Sequence, residues 1–373
     1  MSFDKDVKRT IIILFSFIIF FTIPCFSVED SQFQSSFVMQ KGAILINADP
    51  VHPSSFYLLD TGISVPILKE KEGLEIKKPH NSDNIKLKDY EHNIPFVPYY
   101  QGKVILSDLL DISKKFGVHI NGILPIFYPG YEIYLDFGKG KIVWQLITHK
   151  SKDQKKNIIC EKMFFSSENV MPKISIMLNN KIASVANVDF VRNESVIFPM
   201  SMVNDKRLIT NENTFAHFKG GKVVQYFRLK TLQVGSQKFN NLISVSVPEE
   251  KEISLGTSFW RQFVLKINYE EASICFLKTN ISDEREWAGV GILPDCLNEE
   301  GWLIGVIENS SAWSYNLRGG ETLIKIDECE IKSLDIDQII RLLNPPQGTE
   351  ITCKVIDFTR KIRELKLKSQ RII

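Results

Sequence analysis

Two apolar strands that each deliver an aspartate, with a second apolar element at a matched distance behind each, constrain this chain more than any other feature. The first reads Phe56-Tyr57-Leu58-Leu59-Asp60-Thr61-Gly62, the second Ser184-Val185-Ala186-Asn187-Val188-Asp189. Behind them stand Gly122-Ile123-Leu124-Pro125 and Ile253-Ser254-Leu255-Gly256. Asp60 and Pro125 are 65 positions apart, and Asp189 and Gly256 are 67 apart. Asp60 and Asp136 are 76 apart, and Asp189 and Asn268 are 79 apart. A shared spacing of this kind predicts a tandem repeat of two β-rich units, each of about a hundred residues, within the usual domain size.

The chemistry at Asp60 narrows the reading. A core strand rarely carries a charge, because a buried carboxylate is costly unless paired or hydrogen-bonded. Gly62 removes a side chain where another backbone or a ligand must come close. Thr61 can both donate and accept a hydrogen bond. A surface turn is the competing reading, since Asp and Gly are turn residues, and the repeat argues against it.

Strand follows strand from Phe37 to Leu146. Ala43–Ile46 and Val104–Leu106 are strands, and Tyr131–Phe137 turns at Gly138-Lys139-Gly140 into Lys141–Leu146 as a hairpin. Lys69 to His92 is dense in charge and reads as a solvated excursion. Tyr99-Tyr100-Gln101-Gly102 fits either a substrate-covering hairpin or ordinary half-buried aromatics. His149 to Asn157 is polar and basic, and residues 149–171 are expected to form a linker. Ile174–Leu178 followed by Asn179-Asn180 is a hairpin signal, and Phe263–Tyr269 with Ile274–Leu277 repeats the earlier terminal hairpin.

At the start, Lys5, Lys8 and Arg9 precede an apolar run from Thr10 to Ile23 that ends at Pro24-Cys25-Phe26-Ser27. Residues 1–27 therefore read as a secretory signal peptide. The run is short for a membrane span, which needs about 20 apolar residues. The expected location is periplasmic, cell-envelope or secreted. An uncleaved anchor or a lipid on Cys25 are the alternatives, and only these would make a membrane a partner. Without that segment the formal charge falls from +2 to +1, and no basic stripe marks a nucleic-acid partner. Cys160, Cys275, Cys296, Cys329 and Cys353 then remain, an odd and widely spaced set that allows one bridge without assigning it. The six histidines show no metal-ligand spacing, no G-x-S-x-G elbow occurs, and Gly220-Gly221-Lys222-Val223 is a turn, not a phosphate loop. No metal and no cofactor are expected.

Phe56 to Gly62 resembles the active-site motif of aspartic proteases of the pepsin and retropepsin clan. Gly122 to Pro125 resembles their later apolar-apolar-glycine element, with proline in the glycine place. Leu255-Gly256-Thr257-Ser258-Phe259-Trp260-Arg261-Gln262-Phe263 resembles the second such element from its glycine onward. The resemblance covers about 38 to 278. It implies a mostly β fold of two tandem aspartic-protease-like β-barrel lobes, 38–148 and 172–278, with catalytic Asp60 and Asp189 sharing a proton across the interface. By the same resemblance Thr61 would brace the lobes, and Gly62 would donate its N–H to the carboxylate. The second motif departs: Asp189 is followed by Phe190-Val191, so the bracing hydroxyl is lost and a β-branched residue stands in the glycine place.

Residues 286–369 form a separate unit. Gly289-Val290-Gly291-Ile292 opens it, Ser310-Ser311-Ala312 and Leu317-Arg318-Gly319-Gly320-Glu321 come next, and apolar positions from Leu334 to Leu343 have helical spacing. These pieces resemble a PDZ domain of bacterial envelope proteases. Asn316 stands where such domains have glycine, an exchange compatible with a left-handed backbone. The resemblance implies a peptide-binding site at Gly289, Val290, Gly291 and Ile292, whose N–H groups would meet a peptide carboxylate beside a free strand edge. A packing module that binds nothing is the plain alternative. Three functions compete: an endopeptidase acting on peptides or unfolded protein, a pseudoprotease that holds peptides without cutting, and a dimer with an Asp60–Asp60 dyad.

Overall fold

The structure, a computed structural model, describes residues 32–47, 55–69, 87–92, 97–98, 100–147, 158–166, 169–203, 208–278 and 287–373. The signal-peptide reading, Tyr99 and most of the charged stretch before Leu87 lie outside these residues. The described chain is mostly β.

The first half runs β1 (Gln32–Gln40), β2 (Ala43–Ile46), β3 (Ser55–Asp60), β4 (Ile67–Lys69), β5 (Leu87–His92), β6 (Tyr100–Ser107), α1 (Leu110–Phe116), β7 (His119–Pro125), β8 (Tyr131–Asp136) and β9 (Lys141–Leu146). The second runs β10 (Ile159–Ser166), β11 (Asn169–Leu178), β12 (Ile182–Val188), β13 (Val196–Pro199), α2 (Met200–Val203), β14 (Ile209–His217), β15 (Val223–Val234), β16 (Gln237–Val247), β17 (Ile253–Leu255), α3 (Thr257–Trp260), β18 (Phe263–Asn268) and β19 (Ser273–Lys278).

The repeat read from the spacing is a repeat of strand topology. One half pairs its strands in the order β1-β2-β3-β7-β4-β6-β5. The other pairs β10-β11-β12-β17-β13-β16-β15 in the same sense at each step. In each, the aspartate-bearing strand lies parallel to the strand that carries the later apolar element, Asp60 beside Pro125 and Val188 beside Leu255. A shared antiparallel sheet, β1-β9-β8-β18-β19-β10, joins the halves, with β8 against β18 at its centre. One hydrophobic core runs through both halves, including Ile133 and Leu135 from β8 and Leu265 and Ile267 from β18.

The region expected to be a linker, 149–171, contains β10 in its described part, and β11 starts before 172. The charged run hid the apolar residues beyond it: Met163 is buried, and Cys160 sits opposite Cys275 in the β10–β19 register. Those two cysteines form a disulfide, the bridge the sequence allowed but did not assign. Within the charged stretch Lys69–His92, residues Leu87–His92 are strand β5, hairpinned with β6.

The C-terminal unit has its own core around Val290, Trp302, Ile339 and Val355. It comprises β20 (Ala288–Gly289), β21 (Ile292–Leu297), β22 (Trp302–Ile307), α4 (Ser311–Ser314), β23 (Thr322–Ile326), β24 (Cys329–Glu330), α5 (Ile336–Leu343), β25 (Glu350–Ile356), β26 (Ile362–Lys368) and β27 (Gln370–Arg371). Asp335 caps α5 through a capping box with Gln338, which starts the helix two residues after the predicted Leu334. Asn316 has φ of 58°, the left-handed conformation expected of it. β14 has no counterpart among the described residues of the first half and pairs with β22 at Ala216–Ile307 and His217–Val306, so the second half and the C-terminal unit share a sheet. Gly305 and Gly319 make room for this contact: a Cβ there would lie 2.3 Å from the Phe218 ring and 2.3 Å from the His217 carbonyl oxygen.

Candidate active site

Asp60 and Asp189 close their strands in equivalent ways. Asp60 Oδ1 accepts the Gly62 N–H at 2.7 Å, and Asp189 Oδ1 accepts the Val191 N–H at 2.9 Å. Val191 thus supplies the backbone donor that its glycine counterpart supplies. Space is tight at the glycine in the first half: a Cβ on Gly62 would meet Met171 Cε at 2.9 Å.

The two ends meet across the seam. Thr61 Oγ1 donates to the Val188 carbonyl at 2.8 Å, joining the residue after Asp60 to the residue before Asp189. No reciprocal bond is possible, because Phe190 has no hydroxyl. Phe190 is fully buried and packs edge-on against Phe137 of the first half, centroids 6.1 Å apart, and against Trp260, 6.4 Å apart. Aromatic pairs at this separation contribute roughly 0.5–1.5 kcal/mol beyond area burial. The motif pattern does not reveal a second polar brace. Thr257 Oγ1 lies 2.6 Å from the Gly42 carbonyl oxygen in the first half and 2.7 Å from that of Arg192. Its only sequence signal is the Gly256-Thr257 pair, which the resemblance covers as part of a longer stretch. Gly42 has φ of +78° and faces Asn193 so closely that a Cβ would lie 2.2 Å from its Cα.

Pro125 is tolerated because the next residue takes over the backbone bond: Ile126 N–H donates to the Asp60 carbonyl at 3.1 Å. Gly256 has no such freedom, since a Cβ would lie 2.1 Å from the Glu194 carbonyl oxygen.

Both carboxyls are held above the ordinary carboxylate range. Asp60 is pushed up to about 6, chiefly by burial and also by the Asp189 charge, against the Gly62 N–H and Lys115, which lower it. Burial also raises Asp189, opposed by the Val191 N–H and Arg192. Tyr269 stacks on Phe127 at 4.2 Å, and burial followed by the Asp60 charge holds its phenol protonated far above the usual range.

The predicted peptide loop sits elsewhere. Gly289 pairs with Gln370, and Val290, Gly291 and Ile292 are buried. The Val290 N–H, expected to face a peptide carboxylate, donates to the Leu343 carbonyl at 3.1 Å instead. The end of α5 caps that donor, a tertiary contact that loop composition does not reveal. Residues Tyr100 to Gly102 lie in β6. Among the described residues no group of three or more His, Cys, Asp or Glu is placed to hold a metal ion, and no helix is long and apolar enough to cross a membrane.

No protein-family model matches the chain. No curated protein matches it either. Among solved structures, it is similar to the PDZ domain of a carboxy-terminal protease from Vibrio cholerae in complex with peptide, at 18% identity over 24% of this chain and 98% of that one, with a TM-score of 0.21.

Proposed function

We propose that this chain is an exported aspartic-type endopeptidase, built of two aspartic-protease-like β-barrel lobes and a C-terminal PDZ-like unit that recruits extended peptide. The observation that carries the reading is the Thr61 hydroxyl bond to the Val188 carbonyl, which draws the two aspartate-bearing strand ends together. The matched N–H donors to each carboxylate and the raised Asp60 support it.

In this mechanism one carboxylate is ionised and the other protonated. The ionised member takes a proton from a water molecule as the water oxygen attacks the peptide carbonyl, and the protonated member donates to the carbonyl oxygen. As the tetrahedral intermediate collapses, the carboxyl that took the water proton gives it to the leaving amine nitrogen, and the other carboxylate takes a hydroxyl proton from the intermediate, which restores the singly protonated pair. Burial, with Asp189 beside it, is what keeps a proton on the pair in weakly acidic solution. The Asp60–Asp60 dimer has little room, because β18 of the same chain fills the seam beside β8. The Cys160–Cys275 disulfide supports an oxidising, extracytoplasmic location.

One observation favours a second reading, a peptide-binding pseudoprotease: Phe190 replaces the hydroxyl that would make the brace reciprocal. A mixed peptide library assayed from about pH 3 to 8, a window that brackets normal and raised carboxylates, separates the two. Cleavage lost in Asp60→Asn supports the protease; no cleavage by the wild type at any pH leaves the pseudoprotease.

A further inference from the structure

Two equivalent hairpins of the shared sheet end beside the two aspartates. β8 and β9 close at the Asp136–Lys141 pair, and β18 and β19 close at Asn268–Ser273. The first loop residue is Phe137 in one hairpin and Tyr269 in the other. β8 and β18 run antiparallel at the centre of the sheet, so each loop reaches the opposite half. Phe137 meets the ring of Phe190, the residue after Asp189. Tyr269 stacks on Phe127 and lies 5.6 Å from the Phe165 ring. Phe127 follows Ile126, whose N–H is bonded to the Asp60 carbonyl. Phe137 therefore reaches the surroundings of Asp189, and Tyr269 those of Asp60.

This exchange changes the chemistry. Beside Asp189 stand two rings without polar atoms, Phe137 and Phe190. Beside Asp60 stand two hydroxyls, of Thr61 and Tyr269. The Thr61 hydroxyl is committed to the Val188 carbonyl. The Tyr269 hydroxyl oxygen is buried and has no hydrogen-bond partner among the described residues. A buried phenol normally has one. The only charge that acts on this phenol is that of Asp60, which together with burial keeps it protonated and so able to donate. Asp60 Oδ1 takes the Gly62 N–H, and a carboxylate has acceptor sites for more than one donor. Polar groups that are buried near each other without a direct bond are commonly joined by a bound water.

We propose that Tyr269 is a positioning residue for peptide-bond hydrolysis: its phenol O–H, through one bound water, donates to the Asp60 carboxylate and makes Asp60 the ionised member of the pair. The catalytic part of this inference rests on the protease reading, whereas the contact itself does not. A donor favours the charged form of a carboxylate. The other groups that face Asp60 are the Gly62 N–H and Lys115, which favour its charge, and Asp189, which opposes it. Glu270, next to Tyr269, is bonded to the Gly130 N–H at 3.1 Å. Around Asp189, the Val191 N–H and Arg192 favour the charge, and Glu250 and Glu194 oppose it. Asp60 then takes the proton of the attacking water, Asp189 gives its own to the carbonyl oxygen, and Tyr269 exchanges no proton.

The test titrates Asp60 by NMR in full-length protein whose aspartate carboxyls carry carbon-13. Asp189→Asn leaves Asp60 as the one carboxyl of the pair, and Asp60→Asn assigns its signal. Tyr269→Phe, added to Asp189→Asn, removes one oxygen and keeps the ring stack. It should raise the Asp60 midpoint by roughly one pH unit, the scale of one hydrogen bond to a charged group. Fluorotyrosine in place of Tyr269 keeps the hydroxyl and donates more strongly, so it should lower the midpoint, and it serves if the phenylalanine variant does not fold. With Asp189 intact, Tyr269→Phe should move the acid limb of kcat/KM upward by the same amount as the midpoint. A midpoint that neither substitution moves, or that moves in the opposite direction, overturns the proposal. An acid limb that stays in place in a cleaving enzyme overturns the assignment of Asp60 as the base. A shifted midpoint in a chain that cleaves no peptide supports the Tyr269–Asp60 link and overturns only the protease reading.

Discussion

Thr61 and Phe190 occupy equivalent places in the two halves and hold the seam by opposite means. Thr61 reaches across with a directed hydroxyl bond, whereas Phe190 is fully buried against rings from both sides. The strand order around them is the same, and both aspartates keep a backbone N–H donor two residues on. Topology and carboxylate geometry therefore survive the exchange of a polar brace for an apolar one. The second half also carries two features without a match among the described residues of the first: β14, paired with β22, and the loop at 191–195 that faces a cavity at the junction with the C-terminal unit. One half is built around the bond, the other around its neighbours.

The largest expected effect tests whether the halves are equal in chemistry. Asp60→Asn and Asp189→Asn should each lower kcat/KM by several orders of magnitude, and the double variant by little more, because members of one catalytic unit are not additive. An intact rate in Asp189→Asn would break the in-chain pair.

The next tests the purpose of Phe190. Phe190→Ala should destabilise by about 3–5 kcal/mol, the range for a fully buried aromatic, whatever happens to activity. Phe190→Thr restores the hydroxyl and should still lose stability. A denaturant midpoint unchanged from wild type in either variant would remove Phe190 from the seam.

A third sharpens the electrostatic difference. Asp60 is raised when folded to about 6 from 3.8, so the folded state binds its proton more tightly than the unfolded state. Stability should be greatest below pH 4 as far as this group is concerned, fall as pH rises through 4 to 6, and carry the whole cost above that. The cost is on the order of 2 kcal/mol after allowing for partial exposure. Asp60→Asn should therefore raise Tm at pH 7.5 and leave it nearly unchanged at pH 4. A Tm difference independent of pH would refute the burial argument.

The smallest effect belongs to the brace. Thr61→Val keeps the shape and removes the donor to Val188, which should cost about 1–2 kcal/mol. Equilibrium unfolding measures it, and Thr61→Ser should recover part. If Thr61→Val were neutral, the seam would rest on packing in both halves and the contrast with Phe190 would disappear.

The sequence by itself determined the repeat, the positions of both aspartates, the terminal hairpins and the separate C-terminal unit. These arise from local signals: apolar runs of strand length, turn residues between them, and matched spacings. The left-handed Asn316 was legible through the PDZ resemblance, which has glycine in its place, and not from a local pattern. Only the tertiary structure decided which atoms meet. The Thr61–Val188 bond spans 127 positions, the Thr257–Gly42 bond spans 215, and the disulfide joins cysteines 115 apart. The strand at Ile159–Ser166 was hidden because its stability comes from β11 and β19, not from its own pattern. The Val290 donor was read as open because its partner, Leu343, arrives from a helix fifty-three residues later. Local chemistry sets what a residue can do, and long-range packing settles which partner it finds.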